Sequence, residues 1–464
     1  GLSQQNLYET RVPQVPGMLL EYLSHQNFAD MRLGLDPDFL FSSSRAIYKG
    51  ILKFIGKRDH RDVVVQPLPV NSFAITPKDG GYLLTWAPTV DSLEATAMPT
   101  KYVVSERVGA HGGAFKEIAV VERAEYMAKV TDNEIHSYRI QAMNDGGRSF
   151  PSEVLSLGVA PASKGTAMVV NAFTRVSAPD WVDEGDFATF TDETDHGVPY
   201  IQGINYIGSQ YEKRRSAGWS DARGGFGSSH SDYEGAVIAG NTFDFPAVHG
   251  ESLMAAGYSF VSTSVKAVEQ GVAKLEGYKV LDIIAGKQKE TKVGYGAYPS
   301  KYKLLSPALM QAVENATKTG ANVLLTGAYV ASDVFDHQSP NADEVAFAKN
   351  VMGYAWGGNQ ASCTGEVYTI PTAVKQIPGY TDIKYNNELS NKVYCVESPN
   401  SIFASDKLGM PFMRYTENNR NAGIVSRREG YRTAVLGFPF ETIVSREVRD
   451  LLMKQILDFF ASEN

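Results

Sequence analysis

"SPALMQAVENATKTGANVLLTGAY", residues 306–329, places a helix and a strand in immediate succession. Ser306 supplies an N-cap, Pro307 takes the first turn, and Gly320 follows the last one. Leu309, Met310, Val313 and Ala316 recur at helical spacing, which predicts one inward face. A strand over 322–327 follows at once, and that helix-to-strand step belongs to a doubly wound α/β sheet.

Outward from this stretch the same alternation continues. "AMVVNAF" (167–173), "YSFVST" (258–263), "YKVLDIIAG" (278–286) and "TAVLGFPF" (433–440) read as further strands. "GIVSRREGYRTAVLGF" (423–438) reads as a hairpin turning at Arg428–Gly430. "SREVRDLLMKQILDFF" (445–460) reads as a closing helix with Val448, Leu451, Leu452, Ile456 and Phe460 inward. An α/β domain is therefore expected over 166–464, after a short linker, "PASKG" (161–165).

Upstream the pattern changes. "SFAITP" (72–77), "GYLLTWAP" (81–88), "TKYVVSER" (100–107), "EIAVVE" (117–122), "HSYRIQAMN" (136–144) and "EVLSLGV" (153–159) are short apolar runs between turn-forming residues. That spacing predicts a small antiparallel β-sandwich over 68–160. Residues 1–60 read as a strand, "GMLLEYL" (17–23), then a helix ending near Gly56, with Ala46, Ile47, Ile51 and Ile55 along one face. One strand and one helix cannot enclose a core, so this piece must lean on the rest. A chain of 464 residues is too long for a single core in any case.

The 43% apolar and 21% charged fractions are those of a globular protein, and the net charge of −8 comes with no basic block. Nucleic acid and anionic membrane are therefore poor partners. No run approaches the roughly 18 apolar residues needed to span a bilayer. The opening "GLSQQN" reads as a trimmed end, so its lack of an export signal decides nothing. The 24 Tyr and 22 Phe with Gly/Ser/Asn-rich loops fit a secreted protein. Two cysteines exclude a Cys-rich scaffold. Cys363 and Cys395 lie beside β-like segments, and both a disulfide and a free, core role remain open.

Three resemblances follow from these residues. With Trp86 in its second strand and "YRIQAMNDGGRSFPSE" (138–153), the middle segment resembles a fibronectin type III module. Pro16, Glu21, Ser24, Asn27, Ala46, Ile47, Gly50 and Ile51 resemble the last motif of the zinc-dependent N-acetylmuramoyl-L-alanine amidases. That resemblance implies a catalytic role for Glu21 beside zinc, within a complete amidase domain only, because the family's three ligands lie upstream of the motif. The last segment is similar to the class I glutamine amidotransferase-like fold. Tyr329 in "TGAYVAS" (326–332) stands where that family has its nucleophilic Cys, and "GFPFE" (437–441) keeps Glu441 without a preceding His. The implied triad is thus incomplete, and no cofactor is expected in this chain.

One further cluster crowds Ser229, His230, Asp232, Asp244 and His249 into "GGFGSSHSDYEGAVIAGNTFDFPAVHGESL" (224–253), ahead of Asp282 at a strand end. It reads either as a pocket outside the strand ends or as a long ordered loop satisfying its own backbone. The order of segments resembles secreted Bacteroides-type proteins named as cell-wall amidases or xanthan lyases. The implied function is an accessory region that binds glycan, peptidoglycan or a protein partner at the cell surface. The alternative is a carbohydrate or amide hydrolase with a site at His230, His249 and Asp282.

Overall fold

The structure, a computed structural model, describes residues 8–25, 27–204, 208–220, 222–293, 298–372 and 374–462. After a single helical turn at Tyr8–Arg11 come two helices, α1 (Phe28–Gly34) and α2 (Pro37–Arg58). Asn27 caps α1 by accepting from the amides of Ala29 and Asp30, and Asp36 caps α2. The strand expected over 17–23 does not form: residues 16–24 lie outside any ladder. No strand pairs with this segment, so its apolar side chains have no sheet to join, and Met18, Leu19, Leu20 and Tyr22 are exposed.

The inward face of α2 also differs from expectation. Ala46 and Ile51 point to solvent, the latter 48% exposed, while Ile47 and Ile55 are half-buried. Polar groups dock the helix instead. Arg45 Nη2 reaches Asp91 Oδ2 at 2.9 Å and donates to the Gln66 carbonyl at 3.1 Å. Lys49 faces the same Asp91, and Lys53 pairs with Glu94.

Seven strands of four or more residues then build the sandwich: β1 (Asn71–Lys78), β2 (Gly81–Ala87), β3 (Lys101–Val108), β4 (Lys116–Val121), β5 (Glu125–Ala128), β6 (Ile135–Asn144) and β7 (Leu155–Gly158). One sheet runs β1–β2–β5 and the other β4–β3–β6–β7, all antiparallel. The short β5 was not visible as a run, since "EYMA" carries little alternation. Trp86 and Tyr138 are buried between the sheets, and the Tyr138 hydroxyl donates to Glu106 Oε1 at 2.7 Å.

The second part has a parallel sheet of β8 (Thr166–Asn171), β9 (Ser259–Ser264), β10 (Val280–Gly286), β11 (Asn322–Gly327) and, after the intervening strands below, β16 (Tyr431–Leu436). Their spatial order is β9–β8–β10–β11–β16. Antiparallel strands extend it as β15 (Asn421–Arg428), β14 (Gly409–Tyr415), β12 (Glu366–Thr369) and β13 (Asp382–Lys384). Helices α3 (Pro246–Ala255) and α7 (Arg446–Ala461) pack one face; α4 (Val265–Glu269) and α5 (Pro307–Lys318) pack the other. Along β10, Leu281, Ile283 and Ala285 join one core and Val280 and Ile284 the second. That alternation is what a strand covered on both faces requires. The caps and inner residues expected for α5 are all present. In α7, Leu451 turns out to solvent, and Met453, Leu457 and Phe459 complete the inner face.

The two parts are one body. Edge strand β9 bridges antiparallel to β7 (Phe260 to Gly158) and to β1 (Thr263 to Ala74). The Ser262 hydroxyl accepts from the Ser156 amide and donates to its carbonyl, both at 2.7 Å. Across the same seam Arg107, buried, pairs bidentately with Asp244 at 2.5 and 2.8 Å. The expected linker is pinned too, with the Lys164 amide donating to Gly257 and its ammonium to Ala256. One apolar cluster runs without a break from Val70 and Trp86 of the sandwich to Val435 of the parallel sheet.

Candidate functional site

In open α/β sheets ligands bind outside the carboxyl ends of the strands, where the order reverses. Here that place lies between β8 and β10. Gln288 Oε1 accepts from the amides of Thr174 and Arg175, both at 2.9 Å, and so ties the two following loops together. The crevice is filled by the protein's own charges. Arg175, 1% exposed, pairs with Asp195 at 2.6 Å. Lys287 reaches Glu397 at 2.5 Å, and Lys289 reaches Asp195 at 2.7 Å. Burial alone would raise the Asp195 pKa; Arg175, Lys289 and Lys287 outweigh it and hold the carboxyl well below its usual range.

Tyr329 closes this network. It stands in the turn between β11 and α6 (Ser332–Phe335), the expected place, with its hydroxyl donating to the Thr194 carbonyl at 3.4 Å. The ring lies 5.0 Å from Lys289 Nζ. Burial, with Asp195 and Glu397 nearby, pushes its hydroxyl pKa well above the ordinary value and favours the neutral phenol. A cavity of about 300 Å³ remains over it, bordered by Lys289, Asp333, His337 and Asn359.

His249 and Asp282 do meet, but in the core. His249 Nδ1 lies 2.8 Å from Asp282 Oδ2, and Nε2 lies 3.2 Å from Glu441 Oε2. Tyr394 donates to the other Glu441 oxygen at 2.6 Å. The side chains of His249, Asp282 and Glu441 are 0% exposed or nearly so. Burial alone would lower the histidine pKa; Asp282 and Glu441 overcome that and raise it to about 9. The group joins α3, β10 and the turn after β16, which is a bracing role. Sealed from solvent, it offers no access to a substrate.

Ser229 and His230 sit elsewhere, and Asp232 is exposed in the same loop. A cleft of about 2110 Å³ opens between α1–α2, the sandwich edge and the insertion between β8 and α3, and Ser229 lines it. Its walls are aromatic, including Phe150, Tyr200, Tyr211, Trp219 and Phe226. His230 packs on Tyr211 with ring centres 5.1 Å apart. Phe28 of α1 packs on Phe190 at 5.0 Å, and Arg32 lies 4.2 Å over Trp181, which holds α1 against the insertion. The expected single cluster is thus two places, a buried brace and a cleft wall, and His230 is not brought to His249. Tyr211 and Trp219 escaped the sequence reading; the signal that could have found them is the adjoining "GGFG" (224–227), since glycines permit close backbone approach.

Glu21 is exposed, on a segment that forms no strand. Among the described residues no three His, Cys, Asp or Glu are grouped to hold a metal. Cys363 is exposed and Cys395 buried, and both are free thiols, so the disulfide does not form. Cys395 is enclosed, its thiol pKa pushed up by burial, whereas Cys363 lies on a surface loop whose amide donates to Glu417.

No family model matches the chain, and no curated protein matches it. Among solved structures it is similar to the twitchin kinase region from C. elegans, 25% identical over 19% of this chain, with a TM-score of 0.17. The chain spans 16% of that region's length. It is also similar to a human fourth FNIII domain, 24% identical over 22% of this chain and 87% of that one, TM-score 0.19. A human fibronectin type III domain from a domain-containing protein 3 matches at 21% over 22% and 94%, TM-score 0.18. At such scores the β-sandwich rests on its own strand pairing.

Proposed function

We propose that this chain is a binding region, not a catalytic one, of a secreted, envelope-directed protein of the N-acetylmuramoyl-L-alanine amidase kind. Its middle part acts as a fibronectin type III-like module and its last part as a glutamine amidotransferase-like domain that has lost its chemistry. One observation carries the reading: the positions at which such a sheet performs chemistry are occupied by the protein's own side chains. Tyr329 fills the turn after β11, salt bridges fill the crevice between β8 and β10, and Glu441 is sealed against His249. An aromatic cleft of about 2110 Å³ opens elsewhere. Such clefts with a few polar groups are the usual form of a ligand site. Glu21 takes part in catalysis only where a complete amidase domain supplies the metal ligands.

Purified chain mixed with peptidoglycan sacculi tests this. Co-sedimentation with no release of stem peptide is the expected result. Release of peptide by this chain alone, or full recovery in the supernatant, overturns it.

A further inference from the structure

Trp219 and Tyr211 are 74% and 54% exposed, yet each ring rests against backbone. A Cβ placed on Gly225 would lie 2.4 Å from Trp219 Cδ1. One placed on Gly224 would lie 2.6 Å from the Tyr211 hydroxyl. Only glycine permits that approach. The glycine bed is itself fixed. The Phe226 amide donates to the Ala217 carbonyl at 3.1 Å, and the Gly227 amide to Glu212 at 3.0 Å. The Ser228 hydroxyl donates back to Gly225 at 2.7 Å. Two large rings are thus held rigid from behind with their outer surfaces open to the cleft, at little ordering cost on binding.

The polar groups beside the rings are amides, hydroxyls and the imidazole of His230, which packs on Tyr211. Gln210 Oε1 accepts from Thr189 Oγ1 and from the Phe190 amide, which fixes that side chain next to Gly227. Ser229 follows on the paired backbone. Among the described residues lining the cleft there is no Lys or Arg, and its acids are Asp38 and Asp192. Lys301 already pairs with Asp38 at 2.8 Å. A polyanion would bring charges into this apolar wall with no Lys or Arg, and only the imidazoles of His25 and His230, to meet them. At Gln210 and Ser229 the two backbones bridge to each other, so that stretch is not free for a peptide to extend. A pyranose ring matches both features, with apolar C–H faces to lie on aromatic rings and a rim of hydroxyls for amides.

We infer that Trp219 and Tyr211, bedded on Gly224 and Gly225, form a stacking platform for the rings of an uncharged glycan chain. This rests on the binding role proposed above and adds the place and the charge class. The test is isothermal titration calorimetry of the intact chain with chitohexaose and cellohexaose as uncharged probes and hexagalacturonate as the anionic one. Sacculus co-sedimentation runs alongside. At least one uncharged probe is expected to bind about tenfold or more tighter than hexagalacturonate. Trp219→Ala is expected to weaken it about tenfold or more. Gly225→Ala, whose methyl displaces the indole, is expected to do the same at an unchanged melting temperature. Equal or tighter binding of hexagalacturonate overturns the inference, as does wild-type affinity in Trp219→Ala. Sedimentation with sacculi that persists in Trp219→Ala, or binding of free stem peptide alone, overturns it while leaving the binding role standing. A wild-type chain retained by neither sacculi nor any probe overturns both.

Discussion

At the scale of single residues, the His249 brace is the most informative group. An unfolded imidazole titrates near 6.5, whereas His249 in the fold titrates at about 9. The charged form is favoured by folding, so its stabilisation is complete below about pH 6.5 and is lost as pH climbs through about 9. Thermal melts from pH 6 to 9.5 should show a decline that His249→Gln largely removes. At pH 6 that variant should be less stable by about 3 kcal/mol or more, because Asp282 and Glu441 remain buried without their cation. Tyr329→Phe should behave oppositely and shift stability by about 1 kcal/mol or less, since its hydroxyl makes one long bond. Urea titration distinguishes the two. The sequence marked Asp282 and Glu441 as acids at strand ends and His249 as a candidate beside them. It could not show that all three converge, because they lie on elements brought together only by packing.

Elements were legible where capping and periodicity agree. In α5 the cap, the proline, the inner face and the terminal glycine all point one way, and the helix formed as read. In α2 the isoleucine stripe misled, because Arg45, Lys49 and Lys53 sit on the side that meets Asp91 and Glu94. Charges at 4-residue spacing read as a solvated face until their partners on the sandwich are known. Asp91→Ala should therefore loosen α2 with little change in global melting. Partly exposed pairs contribute on the order of 1 kcal/mol or less, so the readout is faster protease cleavage between residues 59 and 70. Segment 16–24 shows the converse failure, an apolar run that forms no strand without a neighbour. The glycines at 224 and 225 were visible as letters. Their meaning, a support for two rings from elsewhere in the insertion, belongs to tertiary structure.

For the whole molecule, the sandwich and the parallel sheet share one apolar cluster and a buried ion pair across their seam. They should melt in a single calorimetric transition. Arg107→Ala, which leaves Asp244 largely buried without its partner, should lower it by about 3–5 kcal/mol. Two separate transitions in the wild type would refute the shared core. Strand period separates the sequence into two stretches of different pattern but holds no sign that β9 would pair with both sandwich sheets.

That pairing has a temporal side. β9 is six residues of fully buried sheet edge, and an uncovered edge of that kind recruits other chains. Ribosomal synthesis proceeds from the N-terminus, so the sandwich at 71–158 is complete before residues 259–264 emerge. The earlier-made module is thus waiting as a template when the vulnerable strand appears. Moving the sandwich behind residue 462, on a linker long enough to let it reach the same place, would reverse that sequence of events. Such a permutant should yield markedly more insoluble protein during expression, while the soluble fraction melts near the wild-type temperature.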